Sequence, residues 1–147
     1  NYGVASTTTA AGTNLTILQL ICVGSVRFKV SDFLIGSNST PADVATEFRV
    51  GRISVAGSGG VALTPGLVDP HGVAVNSSAK SGTFTVEPTW TNTIMDFSLN
   101  QRATFRWVAA PGFEVLSDVA TGSIGVGLRS IASGGTPVIQ ASYLFVE

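Results

Sequence analysis

The side chains that could do chemistry in this chain are few. Its 147 residues include one His, one Cys and nine Asp or Glu. A Ser/His/Asp site would have to use His71 with Asp69 from the same turn, and no Gly-x-Ser-x-Gly elbow presents a serine to them. One His and one Cys also do not supply an ordinary zinc or non-haem iron ligand set. The sequence therefore predicts that the protein is not an enzyme and uses no metal or other cofactor.

Paired carboxylates are the remaining route to catalysis, because two of them can cleave a glycosidic bond. The residues that could meet in space for this purpose are Glu87, Asp96, Glu114 and Asp118. Each of them stands alone along the chain, as solvated surface charges do. Cys22 lies among aliphatic residues, which favours a small buried apolar side chain over a reactive thiol.

Other residues are better suited to contact a partner. Trp90 lies in the polar segment Pro88–Thr93, where an indole ring could contact a protein or a sugar. Six of the eight basic residues are Arg, which favours bidentate pairing with carboxylates. Such pairs could form within one subunit or across a subunit boundary, and the sequence leaves both open. The candidate interface residues are Tyr2, Val4, Trp90, Arg102, Arg106 and Arg129.

The elements that must position these residues are β-strands. The chain contains 18 Val, 16 Thr, 16 Ser and 17 Gly, a mixture typical of pleated sheets joined by tight turns. Short apolar or alternating runs are separated by Gly, Pro, Asn or Ser, a spacing that indicates a sandwich or barrel. The predicted strand runs are Leu15–Val23, Val26–Ile35, Glu47–Ala56, Thr83–Glu87, Ile94–Leu99, Ala103–Ala109, Phe113–Leu116, Gly122–Ser130 and Val138–Glu147.

Several runs alternate with a period of two, which predicts one buried face and one outer face. Phe105 and Trp107 share a predicted core face. Near Gly51 the parity of the apolar residues switches, which predicts a β-bulge. Gly125 and Gly127 are predicted to leave one sheet face bare, so that a side chain or a neighbouring subunit can lie flat against it.

The runs from residue 15 to residue 147 are predicted to form one domain. Residues 1–14 contain few apolar side chains and are predicted to form a flexible, extended N-terminal arm. The one good helix signal is Thr40-Pro41-Ala42-Asp43, a cap followed by proline at the first helical position. It predicts a short helix near residues 41–46.

The surface of this domain is expected to be poor in charge. Charged residues make up 12% of the chain, apolar residues make up 44%, and the mean hydropathy is +0.39. This deficit indicates that copies of the chain or a partner cover much of the exterior. A net charge of −1 gives no drive toward nucleic acid or an anionic membrane. The longest apolar run, Leu15–Val23, is too short to span a bilayer as a helix, so neither partner is expected.

The order of short motifs resembles that of small structural proteins of tailed bacteriophages. The motifs cover most of residues 40 to 130, and they are Thr40-Pro41-Ala42-Asp43, Phe48 with Arg52, Leu63-Thr64-Pro65, Leu67-Val68-Asp69-Pro70, Glu87-Pro88, Arg102-Ala103-Thr104-Phe105-Arg106-Trp107, Ala110-Pro111-Gly112 with Glu114, and Gly125-Val126-Gly127-Leu128. The resemblance implies a jelly-roll cement or decoration protein that sits on the outside of the phage head and binds the major capsid protein, commonly as a trimer. No catalytic residues belong to such a family.

The expected protein is therefore an all-β, antiparallel jelly-roll β-sandwich that bridges capsid subunits. It would be made in the host cytoplasm and carried on the exterior of the capsid, where loops and the N-terminal arm would grip the shell. The alternative is a carbohydrate-binding or receptor-binding jelly-roll module of a phage fibre or spike, with Trp90 as the stacking platform. A groove beside Trp90 with convergent Asn or Asp would favour that alternative.

Overall fold

A computed structural model describes residues 1–7, 9–39, 41–118 and 124–147 of the chain. These residues form strands and turns, as the all-β prediction requires, and none of them forms a helix that could cross a membrane. The strands are β1 (Tyr2–Ala5), β2 (Thr9–Ala10), β3 (Leu15–Ile21), β4 (Lys29–Ser37), β5 (Ala45–Val55), β6 (Ser58–Leu63), β7 (Gly66–Leu67), β8 (Ser78–Val86), β9 (Thr89–Asn100), β10 (Phe105–Val108), β11 (Val115–Leu116), β12 (Gly125–Ser133) and β13 (Val138–Val146).

The strands form two antiparallel sheets, which we call sheet I and sheet II. Sheet I has the order β10-β4-β13-β1-β7, with β11 also paired to β4 and β2 also paired to β13. Sheet II has the order β6-β8-β3-β12-β5-β9. In both sheets, strands that are distant in sequence lie side by side, as β12 does between β3 and β5. The register of such pairs is set by the pattern of apolar residues rather than by a tight turn.

The two sheets pack face to face as a β-sandwich, because each has one apolar face. In β4, Phe33 and Ile35 are buried in the core while Leu34 between them is exposed. In β12, Val126 and Leu128 are buried in the same core. The period-two alternation therefore places the core between the sheets.

An aromatic cluster joins the sheets at one side of this core. Phe33 of sheet I stacks on Phe97 of sheet II, with 6.0 Å between the ring centroids, and on Trp107 at 5.3 Å. Phe97 also stacks on Phe105 at 4.6 Å. Phe105 and Trp107 are half-buried against the core, so their predicted parity is confirmed. Cys22 is fully buried, as its aliphatic surroundings predicted.

Sheet II contains a two-stranded ribbon that bends in the middle. Only residues 56–57 separate β5 from β6, and only residues 87–88 separate β8 from β9. The pairs β5–β9 and β6–β8 are therefore successive segments of one ribbon. In the first segment β5 pairs with β12, and in the second segment β8 pairs with β3, which is the neighbour of β12. The ribbon must therefore bend sharply, because its two segments pair with the two outer sides of the β3–β12 pair.

The bend lies over the face of sheet II that points away from the sandwich core. Leu18 and Leu20 of β3 point into the core, so Gln19 points to the opposite face. The amide of Gln19 hydrogen-bonds the backbone of Gly57 at the bend, with N–H···O contacts of 3.0 and 3.4 Å. Gln19 and Ile53 are consequently almost fully buried on this second face.

The predicted bulge near Gly51 is confirmed, because the register between β5 and β9 shifts on both sides of this residue. The shift lets β5 turn Val50 into the core and Ile53 toward the bend. The bulge thus allows one strand to place apolar side chains on both faces of sheet II.

The predicted flexible arm is not what the structure shows for its described residues. Tyr2 and Val4 are buried, and β1 pairs with β13 on one side and β7 on the other. Tyr2 stacks on Phe145, with 5.3 Å between the ring centroids, and its hydroxyl donates a hydrogen bond of 2.9 Å to the carbonyl of Val73. Two alternating apolar residues were enough to bury this segment, because the sheet had an open position next to β13.

The short helix predicted near residues 41–46 is wrong for its described residues, and the cap position, residue 40, lies outside them. Strand β5 begins at Ala45, within the predicted helix. The amide of Ala42 donates to the side chain of Gln101 at 3.0 Å, and the Val44 carbonyl accepts from the Gln101 backbone at 3.0 Å. In a six-residue helix neither of these backbone groups would have an intrahelical partner, whereas Gln101 pairs both of them in the observed structure. The local capping signal is therefore overridden.

Candidate interaction surfaces

The face of sheet I that points away from the core carries exposed aliphatic side chains. Within the described residues they are Leu34, Val108, Leu144 and Val146, with exposed fractions of 46%, 59%, 42% and 39%. We call these four residues the outer patch. A contiguous exposed apolar patch of this kind marks a site of association in soluble proteins.

The strand register makes the outer patch contiguous. Asp32 of β4 lies opposite Leu144 of β13 and opposite Val108 of β10. Leu34 is the next outward residue of β4, since successive outward positions are two residues apart. Gly3 lies opposite Leu144, and Ser142 lies opposite Leu34. Asp32 and Arg106 also lie among the aliphatic side chains, with Arg106 opposite Leu34 on its other side. The patch is therefore an aliphatic surface that surrounds one ion pair.

One ion pair lies within this face. The Arg106 guanidinium donates to both carboxylate oxygens of Asp32, with Nε–Oδ2 and Nε–Oδ1 distances of 3.0 and 3.2 Å. The hydrogen bond to Asp32 raises the pKa of Arg106 further above its ordinary value. Asp32 is only 7% exposed. Arg106 thus forms the pair predicted from sequence within its own subunit, and the face carries no net charge from this pair.

A cavity of about 280 Å³ opens at the end of the same face. Its lining is uncharged and includes Ala5, Leu34, Gly36, Ala141 and Ser142. The cavity is wide enough to take a small ring, since a cavity of about 150 Å³ can bind benzene. The cavity is thus an uncharged recess on the outer face of sheet I.

An exposed aromatic ring stands on a tight turn after β10. Phe113 is 77% exposed. Its backbone amide donates to the Ala110 carbonyl at 2.9 Å, which closes a four-residue turn with Pro111 and Gly112 in the middle. Gly112 has a φ of 86°, the left-handed value required at the third position of a type II turn. The turn therefore presents Phe113 in a fixed position.

Trp90 lies in the bend of the ribbon rather than in an open loop. Its benzo edge lies on two glycines: a Cβ at Gly127 would be 2.7 Å from Cη2, and a Cβ at Gly51 would be 3.2 Å from Cε3. The Arg129 guanidinium lies over the ring, 4.6 Å from its centroid. Trp90 and Arg129, both candidates from sequence, therefore meet. The bare face predicted at Gly127 is covered by a side chain of the same chain.

The charges around Trp90 are partly desolvated. Burial, and secondarily the positive charge of Arg49, lowers the pKa of Arg129. Arg49 and Asp96 form a bidentate pair at 2.6 and 2.7 Å, and this hydrogen bonding lowers the pKa of Asp96. Trp90 Nε1 and Arg129 Nε are buried and have no hydrogen-bond partner among the described residues. The cluster is therefore packed against its own chain.

A second uncovered region runs along the side of the sandwich between β9 and β10. Each of these strands is at an edge of its sheet. Their core-facing apolar side chains are only half-buried, namely Met95, Phe97, Leu99, Phe105 and Trp107. We call this region the open side. The 12-residue strand β9 has one charged residue, Asp96, and neither Lys nor Pro to discourage strand pairing.

The remaining candidate interface residues lie elsewhere. Tyr2 and Val4 are buried in the core of their own chain, so neither side chain is available to a partner. Arg102 lies in the exposed turn between β9 and β10, where its backbone amide donates to the Asn100 side chain at 2.9 Å.

The structure describes contacts for four of the candidate catalytic residues, namely His71, Asp69, Glu87 and Asp96. The His71 ring is 95% exposed, with 3.9 Å between its Nδ1 and an Asp69 oxygen. Glu87 accepts a hydrogen bond of 3.0 Å from the Thr16 amide, and Asp96 is held by Arg49. Among the described residues, no group of three or more His, Cys, Asp and Glu could hold a metal ion.

The outer patch and Phe113 were not singled out from the sequence. The signal was present, because Leu144 and Val146 are apolar at positions that the alternation of β13 assigns to the outer face. Assigning that face required knowing that its aliphatic side chains stay exposed among the described residues.

No protein-family model matches the chain, and no curated protein or solved structure matches it significantly.

Proposed function

We propose that the protein is a jelly-roll cement protein of a tailed-bacteriophage virion. It binds the outer surface of the capsid as a homotrimer and stabilises the shell by bridging major capsid protein subunits. The motif order in the sequence supports this proposal, and so does the interleaved strand order, in which β12 lies between β3 and β5 as in Greek-key sandwiches. The proposal includes no catalytic step and no cofactor.

The outer patch is the observation that carries the proposal. Fully burying a Leu or Val side chain contributes about 1.5–3 kcal/mol. The four side chains of the patch are 39–59% exposed, so covering them would contribute on the order of 1 kcal/mol each. About 4 kcal/mol per face is a substantial part of a stable subunit contact. Desolvation of the Arg106 guanidinium, which is 62% exposed beside Asp32, subtracts from this gain.

The open side is a second surface, distinct from the outer patch, and we assign it to the shell. Its half-buried aromatic side chains and the unpaired backbone of β9 can accept an extended segment of a capsid protein. A cement protein needs two such surfaces, one for its own trimer and one for the shell. Three linked contacts with the shell would raise the overall affinity by about 10²–10⁴ when their spacing matches.

The packing of Trp90 supports this role over that of a sugar-binding module. A stacking platform needs an open ring face, whereas Arg129 lies over the Trp90 ring and the benzo edge of the indole lies on Gly51 and Gly127. The nearby charges Arg49 and Asp96 are paired with each other instead of converging on a groove.

The test combines the mass of the purified protein with its binding to phage heads. Light scattering over a range of concentrations is expected to give a trimer, and the protein is expected to pellet with expanded heads at a saturable stoichiometry. As a control, labelled protein is added to heads already saturated with unlabelled protein, which measures how much protein enters the pellet without binding specifically. A monomer that stays in the supernatant would refute the proposal.

A further inference from the structure

Phe113 presents a mostly exposed aromatic side chain on a fixed backbone turn. The side chain is 77% exposed, yet the turn that carries it is fixed by the bond between the Phe113 amide and the Ala110 carbonyl and by the positive φ of Gly112. The Glu114 carboxylate also accepts a hydrogen bond of 3.1 Å from the Gly112 amide, which braces the turn from its other side. A backbone turn that is already fixed loses little conformational entropy when its aromatic side chain binds, which is a property of an interface anchor.

The cavity on the outer face is a suitable recess for such a ring. Its volume of about 280 Å³ exceeds what a benzyl group needs. Its walls are formed by aliphatic and small polar residues, including Leu34, Ala141 and Ser142, with no charged side chain. Both the ring and the recess are uncharged, so insertion of the ring removes no lining charge from water and carries no charge-desolvation cost there.

The ring cannot fill the recess of its own subunit. The Ala109 amide bonds to the Ser31 carbonyl at 2.8 Å, so the turn leaves β10 beside Ser31. The cavity lies at the other end of β4, around Leu34–Ser37. Three to six residues of extended strand separate them, or about 10–20 Å.

We propose that Phe113 of one subunit inserts into this cavity on a second copy of the chain. The inference rests on the proposed homotrimer and specifies its contact: a heterologous interface, in which the turn of each subunit meets the outer face of the next. A heterologous contact forms a closed ring when the rotation between subunits closes, and three copies close it here. The contact also covers Leu34, which belongs to both the cavity and the outer patch.

The first experiment compares Phe113→Ala with Val73→Ala, a matched control because Val73 is also a loop residue and is 79% exposed. Loss of a central aromatic anchor weakens an interface by at least about 30-fold. In sedimentation velocity, the concentration at which half of the Phe113→Ala protein has dissociated is therefore expected to be at least about 30-fold higher than for wild type. Val73→Ala is expected to keep the wild-type midpoint and mass. Circular dichroism checks that both variants fold.

The second experiment is cross-linking. Phe113→Cys and Ser142→Cys proteins are mixed and treated with a short bifunctional thiol reagent; Cys22 is buried and stays silent. Covalent Phe113→Cys/Ser142→Cys heterodimers are expected, and none when Val73→Cys replaces Phe113→Cys. A wild-type trimer with no cross-link and an unaffected Phe113→Ala variant would overturn the Phe113 contact while leaving the trimer intact. A monomeric wild-type protein would instead refute the proposed function itself.

Discussion

Replacing Leu34 and Leu144 together by Ser tests whether the outer patch holds subunits together. Both side chains lie on the outer face of sheet I, where 46% and 42% of their surfaces are exposed in the isolated chain. If a second subunit covers them, the loss should affect association more than it affects folding.

The expected magnitude follows from the exposed fractions. Fully burying a leucine contributes about 1.5–3 kcal/mol, so the uncovered part of each side chain accounts for about 1 kcal/mol of association. The double variant should lose about 2 kcal/mol per interface, which corresponds to roughly 30-fold weaker binding at each one. The part already buried in the monomer also stabilises the fold, so some loss of thermal stability accompanies the change.

The matched control is the double variant Val61→Ser/Val86→Ser. Val61 and Val86 are 50% and 61% exposed on the bent ribbon of sheet II, and neither belongs to the outer patch. Sedimentation velocity across a dilution series measures the dissociation midpoint of each protein. The outer-patch variant should dissociate at concentrations roughly 30-fold higher than the control does. Equal midpoints for the two double variants would show that the outer patch is not an interface.

Two further predictions concern folding. Gly127→Ala should lower the free energy of unfolding by about 1–3 kcal/mol in urea, because its Cβ would lie 2.7 Å from Trp90, whereas Gly66→Ala, with its nearest atom at 3.9 Å, should not. Glu147 is half-buried, and its partial desolvation by itself raises its pKa, but hydrogen bonds from Asn76 and Ser77 outweigh this effect and lower the pKa. Its contribution to stability is therefore present at neutral pH and lost as the pH falls through the lowered pKa. Between about pH 5 and pH 2, the melting temperature of Glu147→Gln should therefore depend less on pH than that of the wild-type protein. The same pH dependence in both proteins would contradict this role of Glu147.

The parts of the fold that follow from local alternation were predictable. Phe105 and Trp107 were assigned to the core from parity alone, and Gly51 was assigned to a bulge from the parity switch. Both depend only on the period of two that any strand imposes on its side chains. The parts that depend on tertiary neighbours were not predictable in this way.

The N-terminal segment and the predicted helix show the difference. Whether Tyr2 is buried depends on an open position beside β13, which is more than 130 residues away in sequence. Whether residues 41–46 form a helix depends on Gln101, whose side-chain oxygen accepts a hydrogen bond from the Ala42 amide. A polar, Gly-rich segment and a capping motif carry no record of these distant partners, so local propensity alone gave the wrong structure.

The sequence also could not show which sheet face the chain covers by itself. Sheet II has a second apolar face, but the bent ribbon closes over it and leaves Gln19 and Ile53 almost fully buried. Sheet I has no such cover among the described residues, and its second face exposes Leu34 and Leu144. The low charge content of the chain indicates that an apolar face is exposed, but composition does not say which of the two sheets carries that face. This asymmetry is the reason that we propose association through the outer face of sheet I, where exposed aliphatic side chains among the described residues would gain by meeting another chain.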